Sequence, residues 1–209
     1  MRSRGFLVVI SGPSGAGKNT LLNAVLPLIP DLRYSVSVTT RPPRPGEKHG
    51  VDYYFVDDGE FDRLIEENRF LEWAEFCGYR YGTERRFVEE CLEQGQIVIT
   101  DIDIQGAKQI KASMPDGVFV FVLPPSIAEL RNRLINRGTE GEDAISLRLE
   151  AALEELQAIS YYDYWILNDD IQKAARALEA VIRAEKNRVS RLEKDVLLSK
   201  YLEGGMRLT

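Results

Sequence analysis

Histidine, cysteine and long apolar runs are scarce in this chain of 209 residues, and each shortage removes a class of function. A single histidine, His49, leaves too little material for a zinc site or a serine–histidine–aspartate triad. Two cysteines, Cys77 and Cys91, allow at most one bridge and show no metal-ligand spacing, so they read as reduced cytosolic thiols. The longest apolar runs, such as Phe6 to Ile10, are strand-sized, far below the roughly 18 residues a membrane span needs. Arg2 and Arg4 precede that run, but Gly12 and Pro13 stop it, so no secretory signal follows. An excess of basic charge is missing too. The formal net charge of −6 argues against a general nucleic-acid binder, which needs a basic surface to release counterions. The expected compartment is the cytoplasm, with neither nucleic acid nor membrane as partner.

What is present describes an ordinary globular protein, 44% apolar and 29% charged, long enough for one good core. No internal repeat or low-complexity linker interrupts it. Buried-strand patterns at Phe6 to Ile10, Gln96 to Thr100 and Val118 to Leu123 are each followed by a helical stretch: Thr20 to Leu28, Gln105 to Ala112 and Ile127 to Ile135. Strand alternating with helix predicts an α/β fold with right-handed crossovers and a parallel sheet. Tyr164 to Leu167 reads as a last central strand, and a long helix is expected from Ile171 toward Leu202. The stretch Tyr34 to Arg85, rich in Thr, Pro, Gly, Tyr and Arg, predicts a small, partly antiparallel insertion with an alternating segment at Val51 to Val56. Arg133 to Leu156 is charged and helical, and reads as a poor core element.

Gly12-Pro13-Ser14-Gly15-Ala16-Gly17-Lys18 directly follows the first strand and opens the first helix. Glycines let successive N–H groups turn inward around a phosphate, and the helix N-terminus adds partial positive charge. Lys18 is placed to follow charge on the β- and γ-phosphates of a nucleoside triphosphate. The usual pattern has Ser or Thr directly after the lysine, whereas this chain has Asn19 and then Thr20. The Mg²⁺ ligand is therefore open between Asn19, Thr20 and a water, any of which suits a hard six-coordinate cation.

A second constellation points to an anionic acceptor. Arg41 and Arg44 lie three apart on a chain stiffened by Pro42, Pro43 and Pro45, a rigid pair of forks for phosphate oxygens. Tyr53 and Tyr81 add phenolic donors without adding charge. Asp101 and Asp103 end a buried strand, where α/β folds place ligands.

In order along the chain, several boxes resemble guanylate kinase: the Gly12 to Lys18 loop, Thr39-Thr40-Arg41-x-x-Arg44-x-Gly46-Glu47, Phe70-Leu71-Glu72-Trp73 and Tyr81-Gly82-Thr83. Asp101-Ile102-Asp103-Ile104-Gln105-Gly106, Pro124-Pro125-Ser126 and Asn168-Asp169-Asp170 complete the likeness, which runs from about Leu7 to about Arg188. The resemblance implies a P-loop parallel sheet flanked by helices, with a small mixed α/β GMP-binding insertion and a helical lid. It implies one domain over 1–209, with a core of about 1–33, 86–132 and 161–209, a GMP-binding segment of about 34–85 and a lid of about 133–160. By the same resemblance Arg41, Arg44, Tyr53 and Tyr81 hold the GMP phosphate, and Ser37, Glu72, Thr83 and Asp101 face the guanine. Guanine presents N1–H and the 2-amino group beside O6. An ionised Glu72 can accept from both donors, while adenine would leave it facing a lone pair. Asp101 and Asp103 are expected near the acceptor or the water shell of the metal.

The resemblance further implies that Arg133, Arg137 and Arg148 close over ATP; Arg133 and Arg137, four apart, share a helix face. Ion pairing with acids such as Glu129 is the plainer use of Arg133. Asn168 is expected beside the adenine and ribose. The implied reaction is ATP plus GMP to ADP plus GDP with Mg²⁺, in purine nucleotide metabolism. The attacking phosphate oxygen is already anionic near neutral pH, so no general base is required. Two other readings stand beside it: a same-fold kinase with another acceptor such as a ribose phosphate, and a non-catalytic peptide-binding relative. Apolar Val196, Leu197 and Leu198 leave a homo-oligomer open.

Overall fold

The computed structural model describes residues 4–136 and 142–192. Phe6–Ser11 forms β1, and every residue in it is buried, so both faces of the strand are covered. Ile97–Asp101 (β7) and Val118–Leu123 (β8) pair with it in parallel on either side. Leu32–Tyr34 (β2) pairs with β7, and Tyr164–Leu167 (β9) with β8, giving the parallel order β2-β7-β1-β8-β9.

Alternation along β1 divides the core. Val8 and Ile10 face α1 (Lys18–Val25) and α7 (Ile171–Lys186), packing with Leu21, Val25, Leu178 and Ile182. Leu7 and Val9 face the other way, toward α3 (Arg85–Glu93) and α4 (Ile104–Ser113), with Val88, Ala107 and Ile110. Each of the larger side chains contributes about 1.5–3 kcal/mol on burial, so these two layers hold the loops at the strand ends in place. Asp103 caps α4 by accepting from Gly106 N–H at 2.8 Å, and Asp170 caps α7 by accepting from Gln172 and Lys173 N–H.

The insertion is a four-stranded sheet of order β4-β3-β6-β5, built from Val38–Thr39 (β3), Tyr54–Phe55 (β4), Phe70–Phe76 (β5) and Tyr79–Glu84 (β6), with α2 (Asp58–Glu66) beside it. Its β5–β6 and β3–β6 pairs are antiparallel and its β3–β4 pair is parallel. Val38, Phe61 and Phe70 give it a small core of its own, and Arg80 lies over the Phe61 ring. The alternating pattern at Val51 to Val56 yields only the two-residue β4.

Four expectations change. Tyr164–Leu167 is a strand as expected, but it lies at the sheet edge among the described residues. Its residues alternate, with Ile166 buried and Trp165 exposed, as a strand with one covered face does. Helix α7 ends at Lys186, not near Leu202. The chain then folds back so that Arg191, buried, can bond Glu185 at 2.9 Å and the Asp116 carbonyl at 3.0 Å. Val196, Leu197 and Leu198 lie outside the described residues. The charged stretch is the helix pair α5 (Ile127–Asn136) and α6 (Glu142–Gln157), and it does carry a core: Leu130, Leu134 and Ala152 are buried together. The helix after β1 runs Lys18–Val25 and passes into a 3₁₀ turn, Leu26–Leu28, that contains Pro27.

Candidate active site

A cleft of about 500 Å³ opens between the C-terminal ends of β1 and β7 and the inner face of the insertion. One wall is the turn from β1 into α1. Gly12, Gly15 and Gly17 all have positive φ there, at 147°, 94° and 88°. Gly12 has a second reason to lack a side chain, because a methyl group at its Cα would overlap the Val122 carbonyl of β8. The Ala16 carbonyl is held from below by Asn168 Nδ2 at 2.7 Å and by Arg133 Nη1 at 3.4 Å. Lys18 Nζ donates to the Gly12 carbonyl at 2.5 Å, curled across the mouth of the loop. Asn19 and Thr20, in the first turn of α1, are exposed to the cleft.

The facing wall comes from the insertion. Arg41 is buried, and its Nη2 donates to both Glu47 oxygens, at 2.8 and 3.0 Å. Its guanidinium lies over the Tyr53 ring, 5.2 Å from the centroid, and the Tyr53 and Tyr81 rings meet edge-on at 6.0 Å. Glu47 also accepts from the Arg44 backbone N–H at 2.7 Å, so one carboxylate organises both arginines of the proline-stiffened turn. Burial pushes the Tyr53 hydroxyl up to about 12, which keeps it a neutral donor.

Glu72, on β5, is 4% exposed and accepts from Thr83 Oγ1 at 2.6 Å. Burial pushes its carboxyl up to about 7, the Thr83 hydrogen bond opposing and the Asp103 charge reinforcing the rise. Its second oxygen lies so close to Gly106 on α4 that any side chain at 106 would collide with it. Thr83 is fully buried behind Glu72, and Ser37 is buried at the entry to β3 but still lines the cleft.

Asp101 and Asp103 form the floor between the two walls. The Tyr34 hydroxyl donates to Asp101 Oδ1 at 2.7 Å. Burial raises the Asp101 carboxyl above its ordinary value, with that hydrogen bond and the Lys18 charge acting against the rise. Tyr34, itself driven upward by burial and by the Asp101 charge, stays protonated.

The cleft thus brings together Gly12, Ser14, Gly15, Gly17, Lys18, Asn19 and Thr20 with Ser37, Arg41, Arg44, Tyr53, Glu72 and Tyr81, over Asp101 and Asp103. Arg148 of α6 also reaches in, donating to Ser14 Oγ at 3.3 Å. Pro13 and Ala16 shape the loop from outside the cleft, through an Ala16 N–H to Pro13 carbonyl bond of 2.9 Å. Arg133 and Asn168 sit behind the loop rather than in the cleft, Arg133 pairing with Glu129 at 3.0 Å and with the Asn168 carbonyl at 3.1 Å. Arg137 lies outside the described residues. Sequence reasoning passed over Tyr34 and Glu47, which hold Asp101 and the two arginines, and Glu155, which lines the cleft. Glu47 was visible in the arginine box, and Glu155 in its seven-residue spacing from Arg148; nothing local to Tyr34 announces its partner 67 residues away.

A family model described as "Guanylate kinase" matches residues 4–185. The chain is 48% identical over 200 residues to the guanylate kinase of Clostridioides difficile strain 630, covering 96% of this chain and 97% of that one. It is 50% identical over 198 residues to the guanylate kinase of Caldanaerobacter subterraneus subsp. tengcongensis, covering 95% and 96%. The solved structure of guanylate kinase from Anaplasma phagocytophilum superimposes with a TM-score of 0.79 at 36% identity, over 95% of each chain.

Proposed function

The chain belongs to the guanylate kinase family, and from that premise we propose that it transfers the γ-phosphoryl group of ATP to GMP, giving ADP and GDP in a reversible, Mg²⁺-dependent reaction. The observation that carries the reading is the shared cleft: a glycine-shaped anion cradle with Lys18 on one wall, and Glu72 with Arg41 and two tyrosines on the other. A same-fold kinase for ribose phosphates would have no use for a buried carboxylate backed by Thr83. A peptide-binding relative would have no use for the intact loop.

In this reading Arg41, Arg44, Tyr53 and Tyr81 take the GMP phosphate. Arg44, exposed and on the cleft, is the movable member, while Arg41 is fixed by Glu47. Glu72 accepts from guanine N1–H and the 2-amino group, with Ser37 supplying a hydroxyl, Thr83 holding Glu72 from behind and Asp101 completing the pocket. Lys18 leaves the Gly12 carbonyl to follow charge on the transferring group. The GMP phosphate oxygen is the nucleophile and needs no base, so catalysis rests on alignment and charge neutralisation. Arg133 works from behind, bracing the loop and Asn168, and Arg148 acts from the cleft side. Residues of about 133–160 serve as a lid that excludes water as a competing acceptor.

The residues present fit Mg²⁺. Among the described residues no cluster of three or more acidic, cysteine or histidine side chains forms a dedicated cage. Asn19, Thr20 and Asp101 instead offer separate hard oxygens on the cleft, a set that suits a cation keeping several waters and sharing substrate phosphates. Asn19 or Thr20 would hold it directly and Asp101 through water, and when bound it supplies charge neutralisation on the triphosphate. The cytoplasm, where both nucleotides occur, is the compartment this reading takes; among the described residues no helix is long and apolar enough to cross a membrane.

The test is ADP production from MgATP with GMP, AMP, CMP and UMP in parallel. Turnover with GMP exceeding the others by orders of magnitude is expected, because mispaired buried polar groups discriminate that strongly. Fast turnover with AMP and none with GMP would overturn the acceptor assignment.

A further inference from the structure

Helix α6 reaches the phosphate-binding loop with two side chains. Arg148 and Glu155 are seven residues apart, two helical turns, and so project from one face. Arg148 donates to the Ser14 hydroxyl. Glu155 lines the same cleft as Gly12, Ser14 and Lys18. Between them Ala152 packs on Leu130 and Leu134 of α5, and a methyl group on Gly15 would meet those same two leucines. The helix pair is seated on the loop, with no room between them for a larger residue.

Phosphoryl transfer by alignment and charge neutralisation makes no use of Glu155. Among the described residues its Oε2 is buried without a hydrogen-bond partner, which costs free energy and calls for a reason other than stability. Burial pushes its carboxyl upward, the Lys18 charge pulls against that rise, Asp103 reinforces it, and the Ser14 N–H opposes it. The two stabilising groups, a loop N–H and the loop lysine, are those that receive phosphate oxygens in a cradle of this geometry. A carboxylate and a phosphate offer such donors the same thing: anionic oxygen.

We propose that Glu155 is an internal occupant of the triphosphate cradle, standing in for a phosphate beside Ser14 and Lys18 and seating α6 on the loop until an arriving nucleoside triphosphate displaces it. The inference rests on reading Gly12 to Lys18 as the phosphate site of ATP. Two anions cannot share the cradle, so ejecting Glu155 lowers the affinity for the phosphate chain. Ejection also frees α6, and with it Arg148, to take a new position over the bound nucleotide. Arrival of the donor and movement of the helix pair are thereby coupled through one carboxylate.

Inorganic tripolyphosphate in EDTA isolates the cradle from base and metal, and its affinity is measured by titration calorimetry. Wild type, Glu155→Gln and Glu155→Ala are compared, with the exposed neighbour Glu154→Gln as control. Removing the competing charge is expected to tighten binding about fivefold or more in both Glu155 variants and to leave Glu154→Gln at the wild-type value. The Ser14 amide should exchange hydrogen faster in ligand-free Glu155→Ala than in wild type. Equal or weaker tripolyphosphate binding by Glu155→Gln would overturn the proposal while leaving the phosphate site intact. Glu155→Gln keeps the shape of the side chain, so a folding failure confined to Glu155→Ala does not spoil the comparison. If neither tripolyphosphate nor ATP binds wild type or any variant, the reading of the loop falls and the proposal with it.

Discussion

Replacing Glu72 with glutamine should make the protein more stable and less able to use GMP, with the gain in stability growing as pH rises. The carboxyl is 4% exposed and lifted from 4.5 to about 7, chiefly by burial, so ionising it in the fold costs free energy that solvent does not screen. At about 1.4 kcal/mol per pH unit the full cost is about 3 kcal/mol. Because the folded value lies above the unfolded one, the folded state binds more protons between pH 4.5 and about 7. Wild-type stability is therefore fully present below pH 4.5 and declines as pH rises through about 7. Glutamine has no such titration, and its carbonyl still accepts from Thr83. Relative to wild type, Glu72→Gln should gain about 2 kcal/mol between pH 5 and pH 8, or about 5 °C in Tm for a chain of this length. Thermal or urea unfolding of both proteins at the two pH values measures this. KM for GMP should rise at least tenfold, because the amide turns a donor toward guanine N1–H. A stability difference that stays the same at pH 5 and pH 8 would show that burial does not raise the Glu72 carboxyl in the fold.

Gly106→Ala should raise KM for GMP about tenfold while leaving ATP affinity unchanged, since the new methyl group displaces the Glu72 carboxylate; steady-state kinetics in each substrate checks it. Tyr34→Phe should destabilise the fold by about 1–3 kcal/mol at pH 8 by stripping a buried donor from Asp101. The penalty should shrink toward acid, where Asp101 is protonated and no longer needs that bond, and unfolding curves across pH report it. Lys18→Ala should lower kcat by about 10²-fold or more with unfolding behaviour intact, as charge-stabilising groups of this kind do. More than about a tenth of the wild-type rate would remove Lys18 from its role.

Local chemistry made much of this molecule legible before its structure. Val118–Leu123 and Tyr164–Leu167 are short runs bounded by turn residues, and the pattern alone marks their ends. The glycine loop is legible because its function depends on backbone geometry that few other residues permit. What stayed hidden depends on partners far along the chain. Tyr34 meets Asp101 only because β2 joins the sheet beside β7, and a three-residue strand leaves almost no periodic signal. Arg133 has the spacing of a substrate ligand, and its contacts with Glu129, the Ala16 carbonyl and Asn168 follow only from α5 packing behind the loop. The end of α7 is hidden in the sequence because apolar residues continue past Lys186. The turn there is dictated by the buried Arg191–Glu185 pair, a tertiary choice that no helix propensity reveals.

Two half-sites face each other across one cleft. The most direct test is a single ligand that fills both: adenosine and guanosine joined 5′ to 5′ through five phosphates. Titration calorimetry should show one molecule bound per chain, far more tightly than ATP or GMP alone, with competition against each nucleotide. Glu72→Gln should weaken its binding at the guanosine end. Binding that competes with ATP but is indifferent to GMP would contradict the account.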